Sequence, residues 1–251
     1  MDYSFFLLIA VGFAAGFINT IAGGGTLLTM PMLIFMGLAP NVANATNRVA
    51  IVLQTAIGVK GFKSKGVSTY PFNLYLGVSA LFGAFIGAYF AVDIKGELFN
   101  KILACIMIVV VLLMLFQPKV TLLNLEERTT GKHLYISIII FFFLGIYGGF
   151  INAGIGFMML TILPYVNRLS ILKSNATKVA VVCLYTISAI IMFQYHGLIN
   201  WKYGLILAIG NASGAWVSSR WSVGKGEILI KKIIIIVICV VAIKLWFFSA
   251  K

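Results

Sequence analysis

Only six of the 251 residues are acidic, and none sits in the middle of an apolar run. Asp2, Asp93, Glu97, Glu126, Glu127 and Glu227 all fall near segment ends, so the chain offers no mid-membrane carboxylate of the kind that marks proton relays. Glu97 with Lys101, and Glu227 with Lys231, read instead as i,i+4 pairs at helix starts. The two histidines, His133 and His196, have no metal-ligand or triad neighbour in sequence. Three cysteines, Cys105, Cys183 and Cys239, lie far apart in apolar segments with no paired spacing for a metal or a disulfide. Catalysis has little to work with, and nothing calls for a cofactor.

What is present is apolar. The chain is 61% hydrophobic and 10% charged, with a mean hydropathy of +1.07, far above the composition of soluble domains. Nearly charge-free runs recur, among them Tyr3 to Asn47, Gly66 to Val92, Leu134 to Asn167 and Ile233 to Ile243. Most are long enough to cross a lipid bilayer as helices. The opening "MDYSFF" lacks the basic region of a cleavable export signal, so membrane protein is expected from the first residue. A formal charge of +13 does not point to nucleic acid, because the basic residues are scattered over short loops rather than gathered in a patch.

The chain repeats itself. Residues 16–31, "GFINTIAGGGTLLTMP", return as "GFINAGIGFMMLTILP" at 149–164. Gly12, Gly16, Asn19, Gly23 and Pro31 match Gly145, Gly149, Asn152, Gly156 and Pro164; "NAT" at 44–46 returns at 175–177 and "KGE" at 95–97 at 225–227. This divides the chain into a first repeat (1–118), a polar linker (119–133) and a second repeat (134–251). Each repeat reads as a glycine-broken double segment followed by three single spans. If the double segment is a hairpin, thirteen of the nineteen basic residues, Lys60, Lys63 and Lys178 among them, share one face; if it is one broken helix, that bias disappears. The expected fold is therefore an all-α polytopic membrane protein of two inverted repeats, with both termini outside and the linker cytoplasmic. Inverted repeats recur in secondary transporters, with the site between the halves.

The glycines divide into two groups. Gly12, Gly16, Gly83, Gly87, Gly145 and Gly149 stand at four-residue spacings that suit close helix packing. Gly23, Gly24 and Gly25 are adjacent, and three such residues disfavour continued helix by about 1 kcal/mol each. A P-loop is excluded, since "GGGT" lacks the Gly-Lys-Ser/Thr ending. Backbone freed at membrane depth must be buried in protein or line a cavity, and amides at a helix start favour anions. Asn44, Asn47 and Arg48 share one helical face, and Asn175 and Lys178 repeat that placement. They fit either capping and snorkelling at the lipid interface or part of an anion site.

The stretch "AGFINTIAGGGTLLTMPMLIFMGLAPNVANATN" (15–47), with its partial echo in the second half, resembles the TauE/SafE family, the sulfite exporters. The likeness runs over nearly the whole chain. It implies carriage of sulfite, sulfoacetate or related organosulfonates across a prokaryotic cytoplasmic membrane, usually as export. By position it implies site residues Asn19, Gly23, Gly24, Gly25, Thr46 and Asn47, with Asn152, Gly156, Asn175 and Thr177 from the second half. Arg48 and Lys178 join them on charge alone. The expected activity is alternating-access transport of a small anion within a lipid bilayer, the alternatives being a passive anion channel, a membrane enzyme or a scaffold. Whether copies associate as a homo-oligomer is left open by the sequence.

Overall fold

A computed structural model describes residues 3–94, 96–115 and 126–222, and among these the chain forms helices and no strands. In order they are α1 (Tyr3–Ile21), α2 (Thr26–Phe35), α3 (Pro40–Lys63), α4 (Phe72–Val92), α5 (Gly96–Leu115), α6 (Gly131–Phe150), α7 (Ile155–Asn167), α8 (Ile171–Tyr195) and α9 (Trp201–Trp221). Both glycine-rich stretches break a helix: α1 gives way to α2 across 22–25, and α6 to α7 across 151–154. The return arms have 10 and 13 residues and carry Pro31 and Pro164. At 1.5 Å per residue they extend about 15 and 20 Å, short of a roughly 30 Å hydrocarbon core. Three single helices, α3 to α5, follow the first hairpin, and α8 and α9 follow the second. The expected last segment, Ile233–Ile243, lies outside the described residues, as do Cys239, the second "KGE", linker residues 119–125 and the basic residues Lys95, Lys119, Lys225, Lys231, Lys232, Lys244 and Lys251.

By length and apolarity α4, α6 and α8 are the clear membrane-span candidates among the described residues. The charge-free runs of the sequence predict further spans beside these. α3 and α9 are less apolar because they carry a polar interior: Asn44, Asn47, Arg48 and Gln54 on α3 and Asn211 on α9 are all buried. Arg48 and Lys178, grouped with the loop charges from sequence, are 0% and 2% exposed.

Neighbouring helices reveal their relative directions. Phe5 meets Tyr203, Gly12 meets Leu207 and Phe17 meets Trp221, so α1 and α9 run the same way. Thr46 accepts from the Asn200 amide at 2.9 Å and Gly61 lies on Ser219, so α3 joins them. In the other group, Gly145 lies on Ala80 and Gly149 on Ala84, while Gly77 faces Leu184 and Ser188 Oγ donates to Leu81 O at 3.0 Å. Hence α4, α6 and α8 also run together. The groups meet along α3 and α8, where Ala45 shares a cluster with Phe193, Gly58 faces Val179, and Phe62 shares a cluster with Ala176; these two helices are antiparallel.

The four-residue glycine spacings serve close approach, as expected. Gly12 and Gly16 lie on α9, Gly83 and Gly87 on α6, and Gly145 and Gly149 on α4, each with neighbouring backbone where a Cβ would project. Gly149→Ala is therefore expected to cost about 1–3 kcal/mol by overpacking. Earlier thermal unfolding of the purified variant checks this, and an unchanged midpoint would show that α4 and α6 can separate freely.

Candidate functional site

The two hairpin tips touch. Gly23, at φ +87, lies against Gly156 at the start of α7, and a Cβ on either glycine would run into the backbone of the other. Thr26 Oγ1 adds a link by donating to Asn152 O at 3.1 Å. Ile18, Ile21, Ala22 and Leu27 of the first tip share one apolar cluster with Ile151, Ala153 and Phe157 of the second, and Phe99, Leu103 and Met107 of α5 complete it. The Tyr147 hydroxyl donates to Ala153 O and braces the second tip.

Breaking a helix strands the carbonyls at its C-terminal end, which carry the negative end of the helix dipole. Each broken helix has those carbonyls covered by a cation from the opposite repeat. Arg48 of α3 donates from Nη1 to Gly148 O at 2.6 Å and from Nη2 to Gly149 O at 3.0 Å, both in α6. Asn44, one turn earlier, donates to Phe150 O at 2.8 Å and also accepts from Arg48 at 3.1 Å. Lys178 of α8 does the same for α1, donating to Asn19 O at 2.9 Å and Thr20 O at 3.0 Å. Its neighbour Asn175 accepts from it at 2.7 Å through Oδ1. Both cations are buried within the protein.

Between the tips, α3 and α8 lies a narrow cavity lined by Asn19, Gln54, Thr55, Asn152, Gly156 and Lys178, with Ile155, Val179 and Val182 as its apolar wall. As it stands it has room for about one water molecule. Asn19 Nδ2 donates to Gln54 Oε1 at 3.2 Å. Asn152, whose φ of 58° turns the chain at the tip, accepts through Oδ1 from the Tyr185 hydroxyl. The lining offers amides, a hydroxyl, an ammonium and the start of α7, and no carboxylate, imidazole or thiol. That is a donor-rich surface.

Of the residues expected from sequence, the structure brings Asn19, Asn152, Gly156 and Lys178 to the cavity. Gly23 forms the tip contact; the carbonyls of Gly24 and Gly25 begin α2 by accepting from Leu27 at 3.1 Å and Leu28 at 3.0 Å. Arg48 and Asn175 act on the helix ends as described. Thr46 is taken up by the start of α9, and Thr177 by Thr69 and Lys173 O, both at 2.8 Å. Asn47 is buried with neither side-chain polar atom partnered among the described residues. Gln54, Thr55 and Tyr185 were missed. A signal existed for two of them: Gln54 and Tyr185 stand 131 apart, the same separation as the two "NAT" triplets.

Comparison with known proteins finds relatives named as probable membrane transporters. The chain is 28% identical over 240 residues to a probable membrane transporter protein (ORF9) of Sinorhizobium sp, covering 96% of this chain and 91% of that protein. It is equally similar, at 28% over 244 residues, to probable membrane transporter protein YfcA of Escherichia coli, with 97% and 90% covered. The relative YunE of Bacillus subtilis, also named a probable membrane transporter protein, is 22% identical over 263 residues, with 96% and 95% covered. No solved structure matches the chain significantly. The profile of the sulfite exporter TauE/SafE family matches residues 8–245, nearly the whole length. This all-helical membrane protein belongs to the TauE/SafE family of membrane transporters.

Proposed function

We propose that the protein is a secondary transporter that moves small sulfur-containing oxyanions, sulfite, sulfoacetate or related organosulfonates, across the cytoplasmic membrane by alternating access. One observation carries the reading. The carbonyl ends of both broken helices, which would repel an anion, are neutralised by Arg48 and Lys178, whereas Ile155 and Gly156 bring the start of α7, its positive dipole end, to the cavity lining. The family name points to the same chemistry.

Inverted repeats are part of this proposal. The antiparallel run of α3 and α8, which occupy matching places in the two repeats, supports them. So does the charge: Lys60, Lys63, Arg128, Lys132, Lys173 and Arg220 gather at the end of the molecule where α3 and α9 finish and α6 and α8 begin. That end is read as cytoplasmic by the positive-inside rule, with the start of α6 inside and the start of α1 outside. Two hairpins whose tips meet between the repeats suit an alternating-access site. The tight cavity favours a carrier over an open anion channel.

The test is sulfite flux in proteoliposomes under a pH gradient, a membrane potential, no gradient, and in empty liposomes. Saturable flux with counterflow is expected. Fast flux without saturation or counterflow would identify a channel instead. Flux of sulfite and sulfoacetate no greater than in empty liposomes would overturn the assignment.

A further inference from the structure

The polar network around the cavity leaves particular atoms over. Gln54 Oε1 accepts from Asn19 Nδ2 at 3.2 Å and from Asn211 Nδ2 at 3.3 Å. Two donors occupy both lone pairs of one amide oxygen, which holds the amide in a single orientation. Its other end, Nε2, is buried with no partner among the described residues, although Gln54 lines the cavity. The matching position in the second repeat is Tyr185, whose hydroxyl donates to Asn152 Oδ1. Asn152 also lines the cavity, and Nδ2 is the end of its amide that Tyr185 leaves unengaged. Buried amide donors without acceptors are rare in folded proteins because stranding them is costly. Here Gln54 Nε2 is such a donor, and the Asn152 amide of the other repeat lines the same small space.

We propose that Gln54 Nε2 and Asn152 Nδ2 form a two-armed clamp that binds two oxygens of one oxyanion, with Asn211 and Tyr185 as positioning residues that decide which end of each amide faces the substrate. The inference rests on the transport reading above and deepens it. An NH2 group donates and cannot accept, so the clamp selects a head group presenting at least two unprotonated oxygens on one centre. Sulfite and a sulfonate qualify; at these two contacts an O–H group finds no acceptor. Arms from opposite repeats also make binding depend on how the tips are apposed, which links occupancy to the movement that alternating access requires.

The experiment measures sulfite concentration dependence in proteoliposomes for the parent, Gln54→Leu, Gln54→Glu, Asn211→Leu, Tyr185→Phe and the Gln54→Leu/Asn211→Leu pair. Sulfite-dependent thermal stabilisation in detergent gives affinity without relying on flux. Gln54→Leu should raise KM about tenfold or more, since a hydrogen bond to a charged group is lost, with little change in Vmax. Gln54→Glu retains the acceptor for Asn19 and Asn211 but sets an oxygen where Nε2 was, and should be worse than leucine. Asn211→Leu and Tyr185→Phe should each raise KM by a smaller factor. In the Gln54→Leu background, Asn211→Leu should add nothing, because its effect passes through Gln54; a merely structural role would add in full. If the parent carries sulfite but both Gln54 variants, folded and monodisperse, keep its KM and its sulfite-dependent stabilisation, the clamp is wrong and transport stands. If the parent neither moves nor binds sulfite or sulfoacetate, the transport reading falls and takes the clamp with it.

Discussion

Arg48→Met is expected to destabilise the protein by roughly 3–5 kcal/mol, since two buried carbonyls lose their partner at about 1–3 kcal/mol each. Methionine replaces much of the apolar stem, so the loss reports on the guanidinium rather than on a void. What the guanidinium does is local. It closes the C-terminal end of α6 by donating to Gly148 O at 2.6 Å and Gly149 O at 3.0 Å, with the whole Arg48 side chain buried. Arg48→Lys should recover part of the loss, because an ammonium offers the charge without the two-pronged geometry. The measurement is the thermal midpoint in one detergent for all three proteins. A shift for Arg48→Met no larger than that of an exposed substitution would show that the carbonyl ends are stable uncovered.

Transport separates the two cations. Arg48 neutralises the α6 carbonyl end from outside the cavity lining, so the folded fraction of Arg48→Met should raise KM less than Lys178→Met does. Lys178 caps α1 and also borders the cavity, so Lys178→Met should lower stability and raise KM together. The division explains why charge reasoning from sequence grouped these residues. Both are buried, both stand beside an asparagine one turn away, and both serve a broken helix; only the three-dimensional course of α6 and α8 distinguishes their surroundings.

Much of the architecture was legible because helix breaks have strong local causes. Three adjacent glycines and the 149–164 echo located both breaks to within a few residues, and the four-residue glycine spacings marked the contacts of α1, α4 and α6 with their neighbours. The cavity lining was legible in part. Asn19 and Asn152 stood out as polar residues beside those breaks, and the structure brings both to one cavity. Gln54 and Tyr185 did not, because a glutamine or tyrosine within a long helix reads as ordinary packing until the opposite repeat is placed against it. Thr46 and Thr177 became candidates by motif position, and their hydroxyls bridge to Asn200 N and to Thr69, each from a distant part of the chain. Sequence position reports which helix a residue occupies, whereas its partner depends on which helices cross.

The contact between the tips supplies the other large expectation, and three glycines separate its causes. Gly37 has a φ of +92° and open space around it, so Gly37→Ala tests backbone strain alone and should cost about 1–2 kcal/mol. Gly156 has no positive φ, but a Cβ there would overlap the Gly23 backbone, so Gly156→Ala tests the close approach alone, at about 1–3 kcal/mol of overpacking. Gly23 combines the two: φ is +87° and its Cβ would meet the Gly156 and Phe157 backbone. Gly23→Ala should therefore cost roughly 2–5 kcal/mol, near the sum of the other two. Flux distinguishes them further. Strain at Gly37 lies away from the cavity and should leave sulfite KM unaltered, while a methyl group on either tip forces the hairpins apart and displaces Asn152 from Gln54. Both tip variants should thus lose transport more than tenfold, a loss that small misplacements of binding groups readily cause. Equal flux in all three variants would mean that the tips need not meet for the transporter to work, and that the substrate path lies elsewhere between α3 and α8.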